Sequence, residues 1–301
     1  MVAGFNAKVI VITGASSGFG KGAALEFARR GARLVLGARR EDALAEVVRE
    51  CRALGAQAIA VPTDVARIGA VQNLADTAVK EFGSIDVWVN AAGAAAVGFF
   101  TDVPLVEHMQ VIETDLMGTM YGSYLAIKQF LLQESGTLIN IASMIGKIPA
   151  PYYASYAAAK HGVVGLSAAL RQELTVQKMP NLHVCTVLPM AMDTPFFEHA
   201  ANYTGHQTVP IPPLDDANKV VDVIVGLALV PQDEVPVGMG GGTNLLLHNT
   251  SPAMSEAIMG QLTHKAQMED APFAAPTPGA VRQPAKNGNG TGVKDPKLAK
   301  K

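Results

Sequence analysis

From residue 8 onward, short apolar runs alternate with longer stretches that are apolar on one side only. Residues 8–13 are apolar, β-branched and followed by glycines, which predicts a strand and a tight turn. Residues 20–30 carry Ala24, Leu25, Phe27 and Ala28 at helical spacing, and Gly31 stands just past the end as a stop signal. The same reading predicts strands over 33–37, 58–62, 85–90, 136–142 and 182–188, with a short last one over 234–237. Helices are predicted over 41–54, from a cap at Asp64 to residue 82, over 104–132, 156–177 and 216–229. Strands that are apolar throughout and separated by helices need cover on both faces. They therefore predict a parallel sheet between two helical layers. Right-handed crossovers make this a doubly wound α/β fold. No second series and no internal repeat follows, so one domain is expected over residues 1–265.

Composition narrows the classes. The chain has 301 residues, 49% of them hydrophobic, enough for one sizeable core. A formal net charge of −2 gives no field to attract nucleic acid or an anionic membrane. Cys51 and Cys185 are the two cysteines, without a CxxC or zinc-ligand spacing of histidines, so free thiols and no metal are expected. No apolar run approaches the ~20 residues of a membrane span, and the first residues lack a signal-peptide pattern. The expected location is cytoplasmic. Prolines and glycines dominate from residue 271, which predicts that 266–301 form a disordered tail. Its Lys297, Lys300 and Lys301 read as a solvated end, with an acidic partner as the alternative.

The turn after the first strand reads Thr13-Gly14-Ala15-Ser16-Ser17-Gly18-Phe19-Gly20, and a helix follows at once. Glycines let the backbone approach a pyrophosphate, and the helix N-terminus offers unpaired N–H groups and a positive dipole end. The same string also serves as an ordinary βα turn; its place after the first strand of an alternating chain favours a dinucleotide. The second strand ends Gly37-Ala38-Arg39-Arg40, with no acid to receive a ribose 2′-hydroxyl. Arginine suits a 2′-phosphate, so NADP(H) is the expected cofactor and NAD(H) the alternative.

Tyr156 and Lys160 stand four apart on a predicted helix and share a face. A nearby ammonium favours phenolate, so such a tyrosine can exchange a proton with an alcohol or carbonyl oxygen. Ser143, at the end of the fifth strand, faces the ligand crevice of such a sheet and can hydrogen-bond the same oxygen.

Together these features resemble the short-chain dehydrogenase/reductase family over residues 7–230. The resemblance rests on Thr13–Gly20, Asp64-Val65, Asn90-Ala91-Ala92-Gly93, Ser143, Tyr156-x-x-x-Lys160, and Pro189 with Thr194. It implies a Rossmann fold and a nicotinamide cofactor. The implied cofactor residues are Gly14, Ser16, Ser17, Gly18, Phe19, Gly20, Arg39, Arg40, Asp64, Val65, Asn90, Tyr156, Lys160, Pro189 and Thr194. Tyr156 is the implied general acid/base, with Lys160 lowering its pKa and binding the nicotinamide ribose. Ser143 holds the substrate oxygen, Asp64 and Val65 meet the adenine, Asn90 steadies the sheet, and Thr194 meets the carboxamide. The sequence departs from the pattern in three places. Asp115 stands where asparagine usually holds a water in a proton relay, so altered pH behaviour is expected. Met190 replaces a usual glycine after Pro189, and Asn90-Ala91-Ala92-Gly93 has alanine where a second asparagine is common.

The expected function is interconversion of a carbonyl and a secondary alcohol on a fairly apolar small molecule. Phe99, Phe100, Met144, Ile148, Tyr152, Tyr153, Met192, Phe196, Phe197 and Tyr203 are candidates for the pocket lining. An NAD-preferring alcohol dehydrogenase, a dinucleotide sensor without turnover, and a scaffold acting through its tail are the alternatives. The apolar surface of helices 104–132 and 156–177 predicts a homodimer or homotetramer. Residues 234–267 are open to three roles: covering the pocket, meeting a partner subunit, or lying on a membrane.

Overall fold

A computed structural model describes residues 4–284. The apolar runs become the parallel strands β1 (Val9–Thr13), β2 (Arg33–Ala38), β3 (Gln57–Pro62) and β4 (Val87–Asn90). A two-residue β5 (Ala96–Val97) precedes β6 (Gly136–Ile141) and β7 (Leu182–Pro189). It pairs with β8 (Ala201–Asn202) outside the main sheet, and β9 (Glu234–Val237) closes the series. The main sheet runs β3-β2-β1-β4-β6-β7-β9, every pair parallel. The chain winds outward from β1 in one direction and resumes at β4 in the other. The switch point between these strands opens the crevice for a ligand at their C-terminal ends.

Both faces are apolar because alternate side chains of each strand point opposite ways. Ile10, Ile12, Leu34 and Leu36 pack with Phe27, Leu44 and Ile224 on one side. Val9, Val11 and Val35 pack with Leu74, Leu125 and Phe130 on the other. The first side belongs to α1 (Gly18–Arg29), α2 (Glu41–Ala53) and a later helix over Asn218–Leu227. The second belongs to α3 (Ile68–Phe82) and two long helices that follow β4 and β6.

The region expected as one helix over 104–132 is α4 (Leu105–Ile112), a π-helical turn over Glu113–Met117, and α5 (Gly118–Gln133). The helix over Ala154–Val176, α6, carries Tyr156 in its first turn. A four-residue α7 (Phe196–His199) lies above the strand ends, and α8 is Asn218–Leu227. After β9 come α9 (Gly241–Thr250) and α10 (Pro252–His264). Asp64 does not cap α3. Its carboxylate accepts from Ala66 N at 3.1 Å, and Arg67 takes the cap position without a side-chain bond.

The expectation of a disordered tail from residue 266 fails for 266–284. Buried Gln267 donates to Val209 O and to the Tyr153 hydroxyl, Thr277 pairs with Asn202, and Val281 is 1% exposed. Proline-rich composition left few apolar residues to read, yet Ala271, Ala280 and Val281 bury themselves and the backbone bonds to the 199–207 loop. Residues 285–301, with Lys297, Lys300 and Lys301, lie outside the described residues.

Candidate functional site

The C-terminal ends of β1, β2, β4, β6 and β7 open onto a cavity of about 610 Å³. The turn from β1 to α1 forms one wall, with Gly14, Ser16, Ser17, Gly18 and Phe19. Gly14 has φ +67°, and a Cβ there would meet Ala92 N at 2.6 Å, so only glycine allows this approach of two loops. Ser17 is the N-cap of α1, makes no side-chain cap bond, and no acid stands in the first turn. The helix end therefore keeps N–H groups and a positive dipole for an anion. Gly18 faces open space, with nothing within 4 Å of a built Cβ. These features fit a pyrophosphate.

Arg39, Arg40, Asp64 and Val65 line the same cavity at the β2–β3 side. Burial holds the Arg39 pKa down, the Asp64 charge opposing it. Pro189, at the end of β7, and Thr194 line the opposite side.

Between these ends stand Ser143, Tyr156 and Lys160. Ser143 caps a short 3₁₀ turn after β6, accepting from Ile145 N at 3.2 Å. Tyr156 is 9% exposed, with its ring 5.4 Å from that of Phe196 and 5.4 Å from Lys160 Nζ. Lys160 Nζ donates to Ile141 O at 3.1 Å and lies 3.2 Å from Asp115 Oδ2. Asp115 is fully buried in the π turn and accepts from Ala94 N at 2.7 Å. A π turn inserts one residue into the helical ladder and so re-aims a side chain, a device common at functional sites. Burial pushes the Asp115 carboxyl above the usual carboxylate range, with the Lys160 charge opposing it.

Lys160 was expected to lower the Tyr156 pKa; the net shift in this structure is upward. The phenol is pushed well above its ordinary value, first by burial and then by the charge of Asp115; a hydrogen bond from Ser143 acts the other way. The Asp115 carboxylate that raises it lies 3.2 Å from the Lys160 ammonium.

Three predicted residues stand behind the wall rather than on it. Gly20 packs on the Gly14 carbonyl. Asp115 meets the cavity through the lining residues Lys160 and Ala94. Asn90, grouped with the cofactor residues and expected to steady the sheet near them, is buried: it accepts from Trp88 Nε1 at 2.8 Å and donates to Asn140 Oδ1 at 2.9 Å. Its place is to tie β4 to β6 below the site.

Of the expected apolar lining, Met144, Tyr153, Met192, Phe196 and Phe197 face the cavity. Ile148 is buried in the core beneath, and Phe99 and Phe100 are exposed at 52% and 63%. Tyr152 turns away to His264 Nδ1 at 2.5 Å, and Tyr203 packs against Gly98. Met190 contributes to the lining where glycine was the usual residue. Residues 234–267 cover the cavity through Met239, Asn244, Met259 and Leu262. The amphipathic stretch from Pro252 was their sequence signal. Ala280 and Pro284 also line it, and nothing in their proline-rich context announced this.

The family described as short chain dehydrogenase matches residues 8–203. The uncharacterized oxidoreductase YxnA of Bacillus subtilis is 32% identical over 271 residues, which is 88% of this chain and 75% of that protein. A short chain dehydrogenase/reductase from Burkholderia phymatum, solved in complex with NAD, superposes with TM-score 0.76 at 28% identity. It covers 84% of this chain and 96% of its own. A variant of the actinorhodin polyketide ketoreductase solved with NADPH gives 0.68 at 27% identity, over 78% and 97%. A match spanning both the glycine turn and the Tyr156–Lys160 helix makes the chain a member of the short chain dehydrogenase family.

Proposed function

We propose that the protein interconverts a ketone and a secondary alcohol on a bulky, largely apolar substrate, with NADP(H) as the hydride partner. The observation that carries this reading is the convergence of Ser143, Tyr156 and Lys160 on the cavity that also holds the glycine turn. The support for NADP(H) over NAD(H) is Arg39 and Arg40, at an end of the cavity where β2 supplies no acid, with Arg39 first having to release the carbonyls of residues 280–282.

Bound in this cavity, the dinucleotide supplies or takes the hydride. The chain supplies the rest. The uncapped α1 end and Gly18 receive the pyrophosphate, and Asp64 and Val65 the adenine side. Pro189 and Thr194 stand toward the carboxamide. Lys160 uses one donor on Ile141 O and one toward Asp115, leaving a third for a ribose hydroxyl. Tyr156, its pKa raised, keeps its proton at neutral pH. In the reductive direction it gives that proton to a carbonyl oxygen that Ser143 also holds. Met144, Tyr153, Met192, Phe196, Met259 and Leu262 exclude water and favour an apolar substrate.

The test is oxidation of NADPH and NADH against a panel of bulky apolar ketones, with Tyr156→Phe as control. Turnover that vanishes in the control supports the reading. Tight dinucleotide binding with no turnover across the panel would replace it with a sensing role.

Assembly belongs to the same proposal. Leu105, Met109 and Tyr124, on α4 and α5, are exposed at 69%, 55% and 63%. An apolar face of this kind fits a second copy of the chain, and light scattering on a sizing column reads the result. Among the described residues no helix is long and apolar enough to cross a membrane. The free, buried Cys51 and Cys185 suit a reducing cytoplasm.

A further inference from the structure

The terminal nitrogens of Arg39 are already engaged. Nη2 donates to Ala280 O at 2.7 Å, and Nη1 to Val281 O at 3.0 Å and Arg282 O at 3.3 Å. The segment is held from its own side as well. Arg282 Nε lies 2.9 Å from Oε1 of Glu107, a fully buried carboxylate on α4. Upstream, Ala280 N donates to His199 O at 2.8 Å. Gly279 has φ +53°, and a Cβ there would strike the Ala200 carbonyl, so the close approach depends on glycine. Residues 279–282 thus form a strap across the arginine end of the cavity, gripped by one arginine at each side.

A phosphate monoester is an anion that only accepts hydrogen bonds. At Arg39 it would face carbonyl oxygens that already hold the guanidinium donors, with repulsion between acceptors. A ribose 2′-hydroxyl donates as well as accepts and tolerates such oxygens. We propose that residues 280–282 are the cofactor-selectivity element of this enzyme: the seated strap admits a 2′-hydroxyl, and a 2′-phosphate reaches Arg39 only by displacing it. The Arg282–Glu107 pair then sets how readily NADP(H) enters. This inference rests on the reading that the cavity takes a nicotinamide dinucleotide with its adenosine ribose at Arg39.

Linkage makes the idea measurable without turnover. A ligand that unseats the strap is favoured by any change that loosens it. The probes are adenosine 2′,5′-bisphosphate and adenosine 5′-monophosphate, which differ only in the 2′-phosphate. In the full chain, trypsin cleavage after Arg282 is expected to be slow, faster with saturating bisphosphate, and unchanged with the monophosphate. By calorimetry, Arg282→Ala is expected to tighten the bisphosphate about tenfold, within the usual range of coupling, and to leave the monophosphate unmoved. Gly279→Ala, which pushes the strap off the Ala200 carbonyl and keeps the Arg282 side chain as a partner for Glu107, is expected to act in the same direction; thermal melts confirm that both variants fold. Equal changes for the two probes, or no change for either, overturn the gate. If NADH and NADPH both bind while the strap is indifferent, the gate fails and the reading of the site stands. If neither binds, both fall together.

Discussion

Asp115 Oδ2 lies 3.2 Å from Lys160 Nζ, and both side chains are almost wholly buried. The pair places a negative charge beside the ammonium that faces Tyr156, and that charge is one of the causes raising the phenol's pKa. Asp115→Asn removes the charge and keeps the shape. The Tyr156 pKa is expected to fall, since one raising cause disappears. Alcohol oxidation requires the phenolate, so its alkaline rise should move to lower pH in the variant. A pH–rate profile of oxidation that coincides with that of the wild type would sink this account.

Truncating the same residue should act on stability instead. Asp115→Leu leaves Lys160 buried without its counter-charge and Ala94 N without its acceptor. Breaking one side of a buried pair costs about 3–5 kcal/mol. Chemical denaturation should show a loss of that order, and Asp115→Asn a smaller one.

Tyr156→Phe keeps the ring that packs against Phe196 and beneath the Lys160 ammonium. Only the proton donor is lost. The kcat for ketone reduction should fall by roughly 10²–10⁴-fold, the usual contribution of a positioned acid. Dinucleotide affinity and melting temperature should stay near wild type. Loss of both together with activity would mean that the hydroxyl has a structural role.

The sheet was legible because its signal is local: β-branched runs such as residues 9–12 are apolar on both faces and end in glycine. The glycine turn, Ser143, Tyr156 and Lys160 were legible for a related reason. Their chemistry depends on residue type and short spacing. Less local features escaped. The π turn at Asp115 looks like ordinary helix in sequence, because one extra residue per turn leaves no periodic mark over five residues. The strap escaped because its attachments run through backbone carbonyls, which carry no residue signature, and through Glu107, 175 positions away from Arg282. The net direction of the Tyr156 shift was not legible because it comes from burial and from the charge of Asp115, neither of which the Tyr156–Lys160 spacing reveals.

Gly14→Ala tests the turn itself. The added methyl would sit at 2.6 Å from Ala92 N, on backbone that cannot swing aside, and alanine resists φ +67°. A destabilisation of about 1–3 kcal/mol follows from the strained backbone alone, and the loop shift should weaken dinucleotide binding. Gly18→Ala is the paired control. Its φ is also positive, but its Cβ meets nothing within 4 Å. It should lose less stability while still intruding where the phosphates are expected. Equal effects on stability would show that backbone conformation, rather than the contact with Ala92, governs this turn.

The two thiols give a prediction about alkaline stability. Burial pushes the Cys51 pKa from 9.0 up to about 12 and that of Cys185 from 9.0 up to about 11. Folding therefore favours the protonated thiols. Below pH 9 both folded and unfolded chains hold these protons, and the stabilisation is fully present. As pH rises above 9 the unfolded chain releases them first, and stability is lost progressively up to the folded values. Each group costs about 1.4 kcal/mol per pH unit over its window. Other groups titrate in the same range, so the comparison is with Cys51→Ala, whose stability should fall less steeply between pH 9 and 11 than that of the wild type. Parallel curves for the two proteins would mean that the folded chain opens enough at Cys51 to ionise it. In that case the native protein should also react with a thiol reagent at pH 8, whereas a closed core reacts only after denaturant is added.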